Sequence, residues 1–96
     1  MYGTVARLRT KPGMGQRLRD LTASYDDVLV PGFIATYVYR SDANEDEYWM
    51  AVMFQDRDSY HKNAGDPAQD ARYHQMRELL ADDPEWHDGE IVSGPS

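Results

Sequence analysis

Residues 48–54, Tyr-Trp-Met-Ala-Val-Met-Phe, run apolar without a break. Such a run is long enough for one strand, and in a strand alternate side chains point to opposite faces. Tyr48, Met50, Val52 and Phe54 then share one face, and Trp49, Ala51 and Met53 share the other. A strand with one wet face alternates apolar with polar residues, so this one is expected to be covered on both sides. A chain of 96 residues has few elements, and its helices suffice for one face. The other face calls for cover from outside, by a second copy or by a ligand.

The rest of the chain supplies the neighbours. Residues 2–10 read as a strand carrying Val5, Leu8 and the β-formers Tyr2, Thr4 and Thr10, with Lys11-Pro12-Gly13 as a turn. Met14, Leu18, Leu21, Tyr25 and Val28 are spaced as one helical stripe and predict an amphipathic helix from 14 to about 29, stopped by Pro31-Gly32. Residues 33–40 predict a second strand, and the polar stretch 41–47 a hairpin loop leading into 48–54. Asp56 or Asp58 can cap a short helix that breaks at Gly65. Asp66 with Pro67 starts another, expected to reach about Ala81 with Tyr73, Met76, Leu79 and Leu80 buried. Residues 86–93 predict a last strand. One domain over 1–93 with a tail at 94–96 is expected.

The order β-α-β-β-α-β is the ferredoxin-like pattern, an α+β fold with a four-stranded antiparallel sheet and its helices on one face. With the other face bare and 48–54 apolar on both sides, the expected cover is the same face of a second subunit, a two-fold homodimer. Oligomerisation also suits a chain of this size, whose own core is modest.

Composition narrows the partners. The formal charge of −7 opposes a phosphate backbone or an anionic membrane surface, and no basic cluster offsets it. The chain has no cysteine, which excludes disulfide and thiolate chemistry and suits a reducing cytoplasm, the expected location. No apolar run approaches the ~20 residues of a membrane helix, and the first residues lack a signal-peptide pattern.

Ala6-Arg7-Leu8-Arg9-Thr10-Lys11-Pro12-Gly13, Val30-Pro31-Gly32-Phe33, Tyr39-Arg40, Met53-Phe54-Gln55-Asp56 and Gly65-Asp66-Pro67 together resemble the antibiotic biosynthesis monooxygenase superfamily. The resemblance spans roughly 3–92 and implies a dimeric α+β barrel of ferredoxin-like subunits. It also implies oxidation of electron-rich aromatics by O2, often with neither metal nor flavin. The chain departs from the family pattern at two positions. Phe54 stands where members commonly carry Trp, and Asn63 where they often carry His. The haem-degrading branch uses an Asn on the first strand, absent here, and a helical His onto whose position neither His61 nor His74 falls.

Several side chains are candidates for chemistry. His74 is the expected base toward a phenol, since histidine titrates near neutrality. Its competing role is a surface pair with Asp70 one turn earlier, and His61 also reads as a surface residue. Tyr37, Tyr39, Trp49, Phe54, Tyr60 and Trp86 can wall an aromatic pocket, or pack the core and a dimer interface. Trp49, Phe54 and Tyr60 are expected to orient the ring, with Tyr37 beside them, Asn63 as a hydrogen-bond partner and Arg7 facing a substrate oxyanion. No metal site is expected, because the histidines fall on different elements without ligand spacing. The loop Asp42-x-Asn44-x-Asp46 lacks the glycine and the distal glutamate of a calcium loop. Two functions follow: cofactor-independent oxygenation of a small phenolic, quinol or polyketide-like aromatic, or non-catalytic binding of a small ligand by the same fold. Haem degradation ranks below both.

Overall fold

In the computed structural model, which describes residues 1–25 and 28–94, the chain runs β1 (Tyr2–Arg9), α1 (Gly15–Ser24), β2 (Phe33–Arg40), β3 (Glu47–Phe54), α2 (Arg57–Ala64), α3 (Pro67–Arg77) and β4 (Glu85–Glu90). The strands form one antiparallel sheet in the order β2-β3-β1-β4. This is the ferredoxin-like βαββαβ arrangement, with the second helix divided in two. The apolar run at 48–54 lies in β3, an inner strand flanked on both sides.

Pairing register sorts the side chains into two layers. Ala6 faces Met50 and Leu8 faces Tyr48 across β1 and β3, while Val38 faces Met50 across β2 and β3. These residues join Leu18 of α1, Met76 of α3 and Leu80 in one core, so the helices cover this face. Removal of such side chains from water supplies ~1.5–3 kcal/mol apiece before ordering costs. The other layer holds Val5, Arg7, Tyr37, Tyr39, Trp49, Ala51 and Met53. Within the chain Trp49, Ala51 and Met53 are half-buried, whereas Tyr37 and Tyr39 are 64 % and 59 % exposed.

Local chemistry explains the breaks. Asp56 caps α2 by accepting from the Ser59 N–H at 2.7 Å, and that bond holds its carboxyl below the usual range. Asp66 caps α3 by accepting from the Ala68 N–H at 2.7 Å, and Pro67 stands at the first helical turn, where its missing N–H costs nothing. Gly32 turns the chain into β2 with φ +81°, and a Cβ there would run into the Ser59 side chain.

Three element ends differ from expectation. Helix α1 has Tyr25 at its C-cap rather than running to about Leu29. Asp26 and Asp27 lie outside the described residues, and 28–30 are not helical as the chain approaches Pro31, which disfavours helical backbone before it. Helix α3 stops at Arg77 instead of reaching Ala81, because the next residues pair with β1: Leu80 bridges Thr10, and Ala81 donates its N–H to the Arg9 carbonyl at 2.8 Å. Strand β4 ends at Glu90 rather than reaching Ser93, and Ile91 adds one further bond by donating its N–H to the Met1 carbonyl at 2.9 Å. Pro95 and Ser96 of the expected tail lie outside the described residues. No described helix is long and apolar enough to cross a membrane.

Candidate active site

A cavity of about 450 Å³ lies between the helix-side face of the sheet and helices α2 and α3. Strand alternation builds its ceiling. Thr4, Thr36, Met50, Val52, Phe54, Trp86 and Asp88 all have the parity that points to the helices. Tyr60 and Asn63 enter from α2, and Asp70, Arg72, Tyr73 and Met76 from α3. Tyr25, Val28 and Val30, beyond α1, close a further side. The exit from helical backbone at 28–30 is what brings those two valines to the cavity while Leu29 stays 97 % exposed.

The walls are mainly aromatic and aliphatic. The Phe54 ring meets Phe33 and Tyr60 edge-on, each at 5.6 Å between centroids, and Tyr73 lies 6.4 Å from Trp86. Such walls suit a flat ring, and the polar groups among them are few and fixed. The Tyr60 hydroxyl donates to Asp88 Oδ1 at 2.8 Å. Burial first, then this carboxylate, pushes the Tyr60 phenol well above the ordinary tyrosine range. The nearby Thr4 hydroxyl opposes that rise without reaching hydrogen-bond geometry. The Tyr25 hydroxyl donates to the Arg72 carbonyl at 3.1 Å, and burial raises its pKa too. Arg72 Nε donates to Gln69 Oε1 at 3.0 Å, which sets the guanidinium's direction. Asp70 and Asp88 contribute negative charge to the lining and Arg72 positive.

The structure brings together Phe54, Tyr60, Asn63 and Trp86 of the sequence candidates, and adds Tyr73 beside them. It places Arg7, Tyr37 and Trp49 on the opposite face of the sheet, so Trp49 shares no wall with Phe54 and Tyr60. The physical reason is the two-residue period of a strand: Trp49 and Phe54 differ by an odd number of positions. Arg7 is engaged there by Glu47, with Nε donating to Oε2 at 2.8 Å. That contact holds the Glu47 carboxyl low and the guanidinium pKa high. His74 does not line the cavity; its Nε2 lies 3.3 Å from Asp70 Oδ2 on the exposed side of α3, and Asp70 does line it. His61 is exposed, with its ring tilted against Tyr2 and edge-on to Tyr60. Among the described residues no group of three His, Asp or Glu side chains converges as metal ligands would.

Thr4, Arg72 and Asp88 were not among the sequence candidates. The signal for Thr4 was available in its parity with Ala6 and Leu8. Asp88 needed the register of β4 against β1, which sets it opposite Thr4. Arg72 falls outside the stripe of Tyr73, Met76, Leu79 and Leu80 that the helical spacing marks as buried.

Comparison with known proteins agrees with this architecture. SnoaB, a cofactor-independent oxygenase from Streptomyces nogalater, matches 97 % of this chain and 94 % of its own at a TM-score of 0.82 and 15 % identity. Rv0793 from Mycobacterium tuberculosis matches 99 % and 98 % at 0.80 and 18 % identity. A conserved protein from Methanosarcina mazei matches 92 % and 89 % at 0.79 and 20 % identity. At these identities the likeness is one of fold. No curated protein sequence matches the chain. The family model for antibiotic biosynthesis monooxygenase matches residues 1–72, three quarters of the sequence and most of the elements that build the cavity. That match, over three quarters of the sequence, shows that the chain belongs to the antibiotic biosynthesis monooxygenase family.

Proposed function

We propose that this protein is a cofactor-independent monooxygenase that oxidises a small phenolic, quinol or polyketide-like aromatic with O2, and that it works as a homodimer. The observation that carries the reading is the cavity: about 450 Å³, walled by Phe54, Tyr73, Trp86 and aliphatic side chains, with a few anchored polar groups. Family membership supports it, and SnoaB is a precedent for cofactor-independent oxygenation on this fold. An electron-rich ring, once deprotonated, can reduce O2 itself. Conversion of an anthrone-type CH2 to a carbonyl is a four-electron oxidation and so balances one O2. One oxygen atom stays on carbon, and the other leaves as water with the two hydrogens.

In this reading the protein contributes position, a proton acceptor and exclusion of water. Phe54 and Tyr60 hold the ring, and the Asn63 amide hydrogen-bonds to an oxygen on it. Asp70, lining the cavity, accepts the substrate proton, and His74 behind it carries that proton to solvent. Trp49, Tyr37 and Arg7 serve the bare face, where the sheet of a second subunit packs.

An oxygen electrode with a panel of hydroquinones and anthrones tests the reading. O2 uptake one-to-one with substrate, cut at least about tenfold by Asn63→Ala, is the expected result. Uptake no faster than buffer across the whole panel overturns it.

A further inference from the structure

One polar atom buried beside the cavity has no hydrogen-bond partner among the described residues. Thr4 is 5 % exposed, lines the cavity, and its Oγ1 makes no hydrogen bond to any described residue. A hydroxyl buried in this way destabilises the folded chain, whereas valine would fill the same space without that cost. A buried group without a partner calls for an explanation, and the cavity that Thr4 lines offers one.

The groups around it define that occupant. Thr4 lies opposite Asp88 in the β1–β4 ladder. Tyr60 has already committed its proton to Asp88 Oδ1 at 2.8 Å. What remains is one donor, the Thr4 O–H, and one free acceptor, the second Asp88 oxygen. Among the oxygen substituents an aromatic ring carries, the one that accepts from the first and donates to the second is a hydroxyl. A methyl ether has no proton to give, a ketone only accepts, and a carboxylate both lacks the proton and meets the charge of Asp88.

We propose that Thr4, Tyr60 and Asp88 form the subsite that seats a ring hydroxyl of the aromatic ligand, and that Thr4 makes this hydroxyl a requirement for tight binding. The proposal rests on the cavity being the ligand site, and it specifies what that site demands. Oγ1 is covered by the chain's own atoms. Seating the ligand therefore includes a turn about the Thr4 χ1 bond or a small shift of the Tyr60 ring. Tyr60 stays protonated throughout, because its raised pKa keeps it a donor to Asp88 at any physiological pH.

The experiment compares equilibrium binding of 1-naphthol, 1-methoxynaphthalene and 1-naphthoate to the wild type, Thr4→Val and Thr4→Ser, with a thermal melt of each unliganded protein. The wild type is expected to bind 1-naphthol at least about tenfold tighter than the ether, and 1-naphthoate more weakly still. Thr4→Val brings naphthol and ether within about threefold while its Tm holds or rises, and Thr4→Ser restores the preference. A purely structural threonine would not couple an unchanged or higher Tm to a lost preference. Equal binding of naphthol and ether by the wild type overturns the subsite and leaves the cavity as the ligand site. A preference that survives Thr4→Val, or a Tm that falls sharply in that variant, also overturns it. Binding of none of the three overturns the subsite and the cavity reading together. Oxygen uptake is measured separately, so a protein that discriminates but consumes no O2 keeps the subsite and loses the oxygenase assignment.

Discussion

The Tyr60 hydroxyl reaches Asp88 Oδ1 at 2.8 Å and ties helix α2 to the sheet-edge strand β4 across 28 positions of sequence. Every residue of β4 is exposed, so little other than its ladder with β1 holds this strand in place. Tyr60→Phe keeps the ring contacts with Phe54 and removes the tie. A loss of about 1 kcal/mol in urea-unfolding free energy is expected, with faster amide exchange along β4.

The same contact has a signature at alkaline pH. The folded-state pKa of Tyr60 is raised above its unfolded value. Its contribution to stability is therefore full below the unfolded value near 10 and declines as pH rises beyond it. In a titration followed by phenolate absorbance, Tyr60 and Tyr25 should ionise late, and the Tyr60→Phe variant should lack one late-ionising phenol.

Arg7 and Glu47 give the opposite dependence. The Glu47 carboxyl is held low first by its hydrogen bond from Arg7, so its stabilising effect is present above the unfolded value and fades as pH falls through the folded one. Glu47→Gln should melt below the wild type at pH 7, and the gap should narrow as pH falls toward 3. Melting curves at the two pH values check this. A gap of equal size at both would mean that the pair is held by packing rather than charge.

The bare face of the sheet offers a different test. Tyr37, Tyr39 and Val5 are exposed there around half-buried Trp49 and Met53, an apolar surface rimmed by polar groups. Trp49→Lys places a charge at its centre without touching the cavity. Sedimentation velocity at low micromolar concentration is expected to show a dimer for the wild type and a shift to monomer for the variant, with a normal circular-dichroism spectrum.

Gly32 carries a backbone role. With φ +81° and the Ser59 side chain where a Cβ would go, Gly32→Ala must distort the turn into β2. A loss of about 2 kcal/mol is expected from denaturant unfolding, more than glycine-to-alanine changes at ordinary backbone positions.

Much of this molecule was legible before its coordinates. The unbroken apolar run at 48–54 marked a strand, and the Pro-Gly and Asp-Pro breaks placed the helix starts, because these signals are local and act through backbone sterics and capping. Strand parity even separated Trp49 from Phe54, so a shared wall for the two was already inconsistent with a two-residue period. The end of α3 was not legible, since it is set by pairing with β1 at Arg9 and Thr10, far away in sequence. Nor was the polar corner of the cavity. Thr4, Tyr60 and Asp88 come from three elements far apart in sequence, and only the β1–β4 register and the packing of α2 decide that they meet. Sequence determines which faces are apolar and where the backbone must turn; the tertiary structure alone decides which polar atoms are left facing one another, because that depends on pairings no local pattern encodes.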